Sequence, residues 1–475
     1  MDHLVQKAQE YVDEVWEDLV ADIGRLVAIE SVEDLGQAKP NAPFGPGPRA
    51  ALDEALAMAG RLGLDAHDCE GYLGYADVAG ASDKQIATIA HVDVVPAVAG
   101  DWTGHPYVMD RRDGYLIGRG VIDDKGPFVL SLYTARFLKE RAEETGKPLP
   151  YTLRCIIGAN EETGMSDVDY YLERYPQPAF CFTPDAEFPV IHGEKGIYHG
   201  YIYSAPITDG VIESIEGGTV PNAVPGRVAA IVRYEGPELP EAPSITLTTL
   251  DDKRIRIEAV GKGGHASMPE DTVNAIAILV DYLLDHELCN ADEKAFLEFE
   301  RQLLPHTDGS GVGLAATDDK FGPLTCVGGV IAGGTARPED SRIVQSLDCR
   351  YPTTTSGDKI TKTIASLVEP FGGSITCTHD MVPFYTEPTS PEIATLVDTY
   401  NEIAGTNDQA FTIGGGTYAR HFANACAFGP NVPMDQLPDW VGPEHGADEG
   451  VSEDQLKLAL KVYIVAISRL MELDL

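Results

Sequence analysis

The chain has 475 residues, 43% of them hydrophobic, which suits more than one packed domain because single cores rarely grow past ~250–300 residues. Acids outnumber bases 75 to 35, for a formal charge of -40, which argues against a nucleic-acid partner and for a solubilising acidic surface. No run approaches the ~20 apolar residues of a membrane span, and the opening MDHLVQKAQEYVDEVWEDLV is too acidic for a signal peptide, so a cytoplasmic location without membrane attachment is expected.

Leu4, Ala8, Val12, Val15, Leu19, Ile23 and Leu26 recur at spacings of three and four and predict an amphipathic helix over 4–27. A Pro/Gly-rich loop (KPNAPFGPGP) and a second helix near 48–62 follow. The apolar runs QIATIA (85–90), YTLRCIIG (151–158) and AFCFT (179–183) then alternate with a helix whose first turn holds Pro127. Such runs separated by helices predict an α/β domain with a mostly parallel sheet and helices on both faces. After about residue 195 the texture changes. Segments 196–204, 226–234, 244–260, 324–332 and 342–350 read as strands, Thr249 to Lys253 as a hairpin turn, and 271–285 and 357–369 as helices, an α+β pattern. From about 386 the first texture returns, with a helix at 390–404, the strand ACAF (425–428) and a terminal helix at 453–473. The predicted organisation is one α/β domain, residues 1–195 and 386–475, interrupted by a large α+β insertion at 196–385.

The eight cysteines, Cys69, Cys155, Cys181, Cys289, Cys326, Cys349, Cys377 and Cys426, form no C-x-x-C pair, and several sit inside apolar strands. They read as reduced core residues, which leaves any metal to His and carboxylate ligands. Five short motifs carry such groups. ATIAHVD puts His91 and Asp93 just after an apolar strand, NEETG puts Glu161 and Glu162 after LRCIIG, and FTPDAE puts Asp185 after AFCFT. GRGVIDDKGP holds Asp123 and Asp124, and GPEHGADE holds His445, both in loops ahead of helices. Singly, each is as well read as a surface pair, a helix N-terminus with acids, or a solvated face. Together they are ordered along one sheet whose strand ends form the ligand edge of open α/β folds. Two imidazoles and several carboxylates suit zinc, with manganese or cobalt as alternatives, and paired cations would relieve the repulsion among the acids.

On these residues the chain resembles the di-zinc metallopeptidases that include PepV-like dipeptidases, carnosinase, aminoacylase, carboxypeptidase G and succinyl-diaminopimelate desuccinylase. AHVDVVP, GRGVIDDKGP, NEETGM and GGHAS carry the family likeness, and VPNAVPG, TIGGGTYAR and EHGADE point to the PepV-like dipeptidases. The resemblance implies two Zn2+ ions, with His91 on one, His445 on the other, Asp123 bridging them, and Glu162 and Asp185 as terminal ligands. It also implies a cis peptide after Asp123, with Asp124 outside the ligand set. Asp93 then accepts a hydrogen bond from His91, and Glu161 is the general base that takes a proton from a metal-acidified water.

The same resemblance makes the insertion a lid that supplies His265 as oxyanion donor and Asn222 as a contact near the reacting carbonyl. Arg350 is a candidate clamp for the substrate carboxylate, aided by the backbone of Gly414, Gly415 and Gly416, and its alternative is an Arg paired with Asp348 or another acid. In dimeric members the oxyanion histidine comes from the partner, so the long insertion here implies a monomer that supplies His265 itself. The expected activity is hydrolysis of dipeptides with free ends. The alternatives are an N-acyl amino acid deacylase or desuccinylase using the same metals, and an inactive metal-binding scaffold.

Overall fold

The computed structural model describes residues 3–336 and 341–475 and divides into two compact units. The first comprises the chain up to His192 with Tyr385–Phe411 and Thr417–Leu475, and the second Gly193–Phe384 with Thr412–Gly416. The boundary at 193 falls within three residues of the change in sequence texture. Segment 412–416, which carries the glycine run, groups with the second unit rather than with its sequence neighbours.

The first unit is α/β. Helix α1 (His3–Val27) buries Ala8, Val12, Val15, Leu19, Ile23 and Leu26, the stripe that the spacing predicts. Helix α2 (Pro46–Arg61) starts on a proline, whose fixed φ and missing N–H cost nothing at that position. The sheet runs in the order β1 (Asp65–Cys69), β2 (Leu73–Val78), β5 (Leu149–Gly158), β3 (Gly80–His91), β6 (Phe180–Thr183) and β7 (Ala425–Ala427), with β4 (Tyr115–Ile117) in a separate small sheet. Strands β5, β3, β6 and β7 are parallel, while β1 and β2 join antiparallel, so the sheet is mixed. The antiparallel edge escaped the sequence reading because β1, DAHDC, is largely exposed and has no apolar run. The centre of β3, by contrast, is buried continuously from Gln85 to His91, as a strand covered on both faces must be.

Helix α3 (Lys125–Thr145) is longer than its predicted core and ends on Gly146 at φ 64, a left-handed cap that glycine adopts without steric cost. Helix α4 (Pro391–Ala404) opens with Ser390 accepting the Ile393 N–H. Strand β8 (Gly450–Ser452) pairs with β4, and the terminal helix α5 (Glu453–Leu470) packs against α1, α3 and α4. One continuous core joins these helices to the sheet.

The second unit is built on one long antiparallel sheet, with two two-residue ladders beside it, flanked by helices 275–285, 291–303 and 357–368 and with its own apolar core. Strands 245–251 and 254–260 form the predicted hairpin. Strands 212–217 and 374–381 and the helix 291–303 were not anticipated. The helix is announced by a capping box between Asn290 and Glu293, but buried Glu293 and Glu300 interrupt its apolar stripe and hide the period. Among the described residues, no helix is long and apolar enough to cross a membrane.

Candidate metal centre

Strands β5, β3 and β6 are neighbours running the same way, with His91 level with Gly158 and Thr88 level with Phe182. Their C-terminal ends therefore deliver His91, the 159–162 loop and Asp185 to one edge of the sheet. The loop before α3 adds Asp123, and the loop before β8 adds His445.

These side chains meet. The Asp123 carboxylate lies between the two imidazoles, with Oδ1 2.9 Å from His91 Nε2 and Oδ2 2.8 Å from His445 Nε2. Asp185 Oδ2 stands 3.7 Å from His91 Nε2, and Glu162 Oε2 3.0 Å from His445 Nε2. Two overlapping groups, His91–Asp123–Glu162 and His91–Glu161–Asp185, have ligand atoms all within 4.8 Å of one another. The Asp123–Asp124 peptide is cis, as the resemblance implied. Asp124 turns away to accept the His91 backbone N–H at 3.1 Å.

Asp93 accepts the expected hydrogen bond from His91, through its backbone rather than its carboxylate. His91 Nδ1 donates to the Asp93 backbone carbonyl at 3.0 Å, with the carboxylate farther off at 3.5 Å. The carboxylate instead accepts the N–H groups of Glu161 and Glu162, at 3.2 and 3.1 Å, and so fixes the loop that carries both acids. With Nδ1 donating to that carbonyl, the imidazole turns Nε2 toward Asp123 and Asp185. That buried atom makes no aligned hydrogen bond.

The electrostatics ask for positive charge. Burial works against protonation of His91, yet Asp123, Asp185 and Asp93 raise its pKa well above the ordinary value. Desolvation likewise opposes the charged form of His445, and Asp123 and Glu162 still push it up to about 12. Burial would raise Asp123, but His445 and His91 hold it well below the carboxylate range. Burial pushes Glu161, Glu162 and Asp185 upward, and repulsion from neighbouring carboxylates adds to it. The nearby buried Lys125 offers no relief, because its ammonium donates to the carbonyls of Leu26 and Ile29. An oxygen-rich set with two imidazole nitrogens, one of them buried without an aligned hydrogen bond, fits a pair of divalent cations.

Two supporting groups were not foreseen. Asp167, fully buried, accepts the N–H groups of Ala159 and Asn160 at 2.7 and 3.1 Å and the Tyr418 hydroxyl at 2.5 Å. Tyr418 also sets its ring edge-on to His91, with centroids 6.4 Å apart, and packs against Gly158, where any Cβ would overlap the phenol. Only the TYAR segment of the sequence hinted at Tyr418. Glu449 is the second, in the GADE segment, paired with Arg119.

In the second unit, His265 and Asn222 are neighbours. Ala223 pairs with His265 across a two-residue ladder, and the Asn222 carbonyl accepts the Ala266 N–H. His265 is exposed, with Nδ1 2.6 Å from Ser267 Oγ. Arg350 is buried, and its Nε–Nη2 edge holds Asp348 at 2.8 and 3.1 Å, which is the pairing left open as its alternative. Asp348 also lies 2.8 Å from His199 Nε2. The Nη1 side of Arg350 donates to the Gly414 carbonyl at 3.0 Å, which brings the arginine to the strip that holds Gly415 and Gly416. A substrate carboxylate could therefore reach only the guanidinium hydrogens that neither Asp348 nor Gly414 occupies.

A family model described as peptidase family M20/M25/M40 matches residues 87–469. The Beta-Ala-Xaa dipeptidase of Lactobacillus delbrueckii subsp. lactis is 31% identical over 475 residues, covering 95% of this chain and 96% of that protein. Among solved structures, human carnosine dipeptidase 1 matches with a TM-score of 0.60 at 14% identity, over 99% of this chain and all of the other. The dipeptidase Dug1p of Saccharomyces cerevisiae matches at 0.59 and 12%, over the full length of both. At these identities the structural matches speak for the fold alone.

Proposed function

The chain belongs to peptidase family M20/M25/M40, and from that premise we propose that it is a zinc-dependent dipeptidase acting on short peptides with free amino and carboxyl ends. The observation that carries the reading is the Asp123 carboxylate shared between His91 Nε2 and His445 Nε2, with a further carboxylate beside each imidazole. Its substrate class is supported by a relative called a Beta-Ala-Xaa dipeptidase, alike over nearly the whole length of both chains.

In this reading His91, Asp123 and Asp185 hold one cation, and His445, Asp123 and Glu162 the other, with zinc proposed and manganese or cobalt as substitutes. When bound, the pair supplies Lewis acidity that polarises the scissile carbonyl and acidifies a water. Glu161 takes the water's proton at its carboxylate and returns it to the leaving nitrogen. Asp93 keeps Glu161 and Glu162 in place through their amides. His265 donates to the developing oxyanion, with Asn222 beside it, and the second unit acts as a lid. Arg350 and the Gly415–Gly416 backbone take the substrate carboxylate. One chain suffices, the lid standing where dimeric relatives use a partner. The eight cysteines, all unpaired, agree with a reducing cytoplasm.

The test is hydrolysis of dipeptides, tripeptides and N-acetyl amino acids, with and without a chelator. Dipeptide cleavage that chelation abolishes is expected. Cleavage confined to N-acetyl substrates would make the protein a deacylase, and chelator-resistant cleavage would remove the metal mechanism.

A further inference from the structure

Glu449 lies four residues beyond His445 and is fully buried, as is its partner Arg119. Glu449 Oε1 gathers three amides of the loop that leads to Asp123, accepting from Gly120 at 2.9 Å, Ile122 at 3.3 Å and Asp123 itself at 3.4 Å. Its Oε2 lies 2.5 Å from Arg119 Nη1. The other terminal nitrogen of that guanidinium donates to the His445 carbonyl at 3.1 Å. One ion pair thus grips the backbone of both residues whose side chains meet at Asp123 Oδ2 and His445 Nε2. His445 also needs such a grip, because its φ of 61° is one that residues with a Cβ seldom adopt.

We infer that the Arg119–Glu449 pair is a positioning device that sets Asp123 against His445, and so governs how tightly the cation held by His445, Asp123 and Glu162 is bound. The inference rests on the two-cation reading of the site. Stability alone does not call for an ion pair here, since an apolar pair of similar volume commonly serves a buried position as well or better. What an apolar pair cannot do is draw in three amides on one side and a carbonyl on the other. A second role, pinning β4 to β8, is already met by the Gly118 N–H donating to the Glu449 carbonyl and by the strand pairing itself.

The experiment is a Mn2+ titration of the metal-stripped full chain, followed by calorimetry and by electron paramagnetic resonance. The wild type should take up two equivalents and show an exchange-coupled spectrum. In Glu449→Gln the first equivalent should bind as before, while the second weakens ~10- to 100-fold, the usual effect of losing a group that orients a ligand. The coupled spectrum should then give way to that of isolated Mn2+. Arg119→Lys keeps a positive charge beside Glu449 but cannot also reach the His445 carbonyl. It should weaken the second equivalent in the same way, and it serves if Glu449→Gln does not fold. Arg154→Lys disturbs another, half-buried ion pair of this unit, the fork on Asp77, and should leave both equivalents and the coupling intact.

Wild-type affinity and coupling in the Glu449 and Arg119 variants would overturn the inference, as would equal weakening in Arg154→Lys. A wild type that never shows a coupled pair would instead overturn the two-cation reading on which it stands.

Discussion

Replacing Tyr418 by Phe removes one oxygen from a fully packed place and leaves the ring where it is. The hydroxyl donates at 2.5 Å to the Asp167 carboxylate oxygen that also receives the amides of Ala159 and Asn160. A hydrogen bond to a charged group contributes ~1.5–3 kcal/mol. Because two amides still satisfy that oxygen, the expected loss is about 2 kcal/mol. A unit of this size loses roughly 2 °C of Tm per kcal/mol, so a fall of about 4 °C is expected in a thermal scan. The effect should reach catalysis, because Ala159 and Asn160 lead directly into Glu161 and Glu162. A misplacement of ~1 Å can cost ~10²-fold in rate, so a partial loosening should lower kcat ~10-fold with little change in KM. Gly158→Ala should act in the same direction and more strongly, because its Cβ would displace the phenol altogether. If Tyr418→Phe leaves both Tm and kcat for a dipeptide unchanged, the argument that Asp167 and Tyr418 hold the catalytic loop is wrong.

Glu161→Ala should retain its metal by elemental analysis yet lose turnover by several orders of magnitude, and near-normal turnover would remove Glu161 as the base. His265→Ala should lower kcat ~10²–10³-fold with an unchanged melting temperature, since the side chain is exposed; a loss below tenfold would end its oxyanion role. Glu300 should make the second unit lose stability as pH rises from 4.5 to about 8. Both its carboxyl oxygens are buried without hydrogen-bond partners, and burial pushes its pKa from 4.5 to about 8. The folded state then keeps a proton that the unfolded chain has released. Its contribution is complete below pH 4.5 and is lost as pH rises through 8. The difference of three to four pH units corresponds to roughly 5 kcal/mol. Glu300→Gln should flatten that decline in denaturant titrations between pH 5 and 9, and parallel curves for the two proteins would refute it.

The six residues that meet at the centre were legible because each lies beside a feature that local sequence does encode. Apolar runs ending in His91, in Glu161 and Glu162, and in Asp185 mark parallel strands, and parallel neighbours share one C-terminal edge. Their meeting with Asp123 and His445 follows once the strand order is known. The supports were not legible in the same way. Asp167 finds Tyr418, and Arg119 finds Glu449, across long stretches of chain, and no periodicity announces such a partner. Arg350 shows the reverse problem: its neighbour Asp348 was in plain view, and only the geometry gives that acid the bidentate edge. Strand β1 and strand 374–381 lie at sheet edges with mostly exposed side chains, so they lack the apolar signal by which the central strands were found.

The pairing of Asp123 with His445 joins two distant stretches of the polypeptide, with the whole second unit encoded between them. During synthesis, a nascent chain that has already made β3, α3 and β5 still lacks the imidazole and the buried glutamate that follow far downstream. The centre is thus complete only when this late stretch of sequence lies against strands that come from far earlier in the chain. A chain cut short before His445 can hold an incomplete centre but not the paired one.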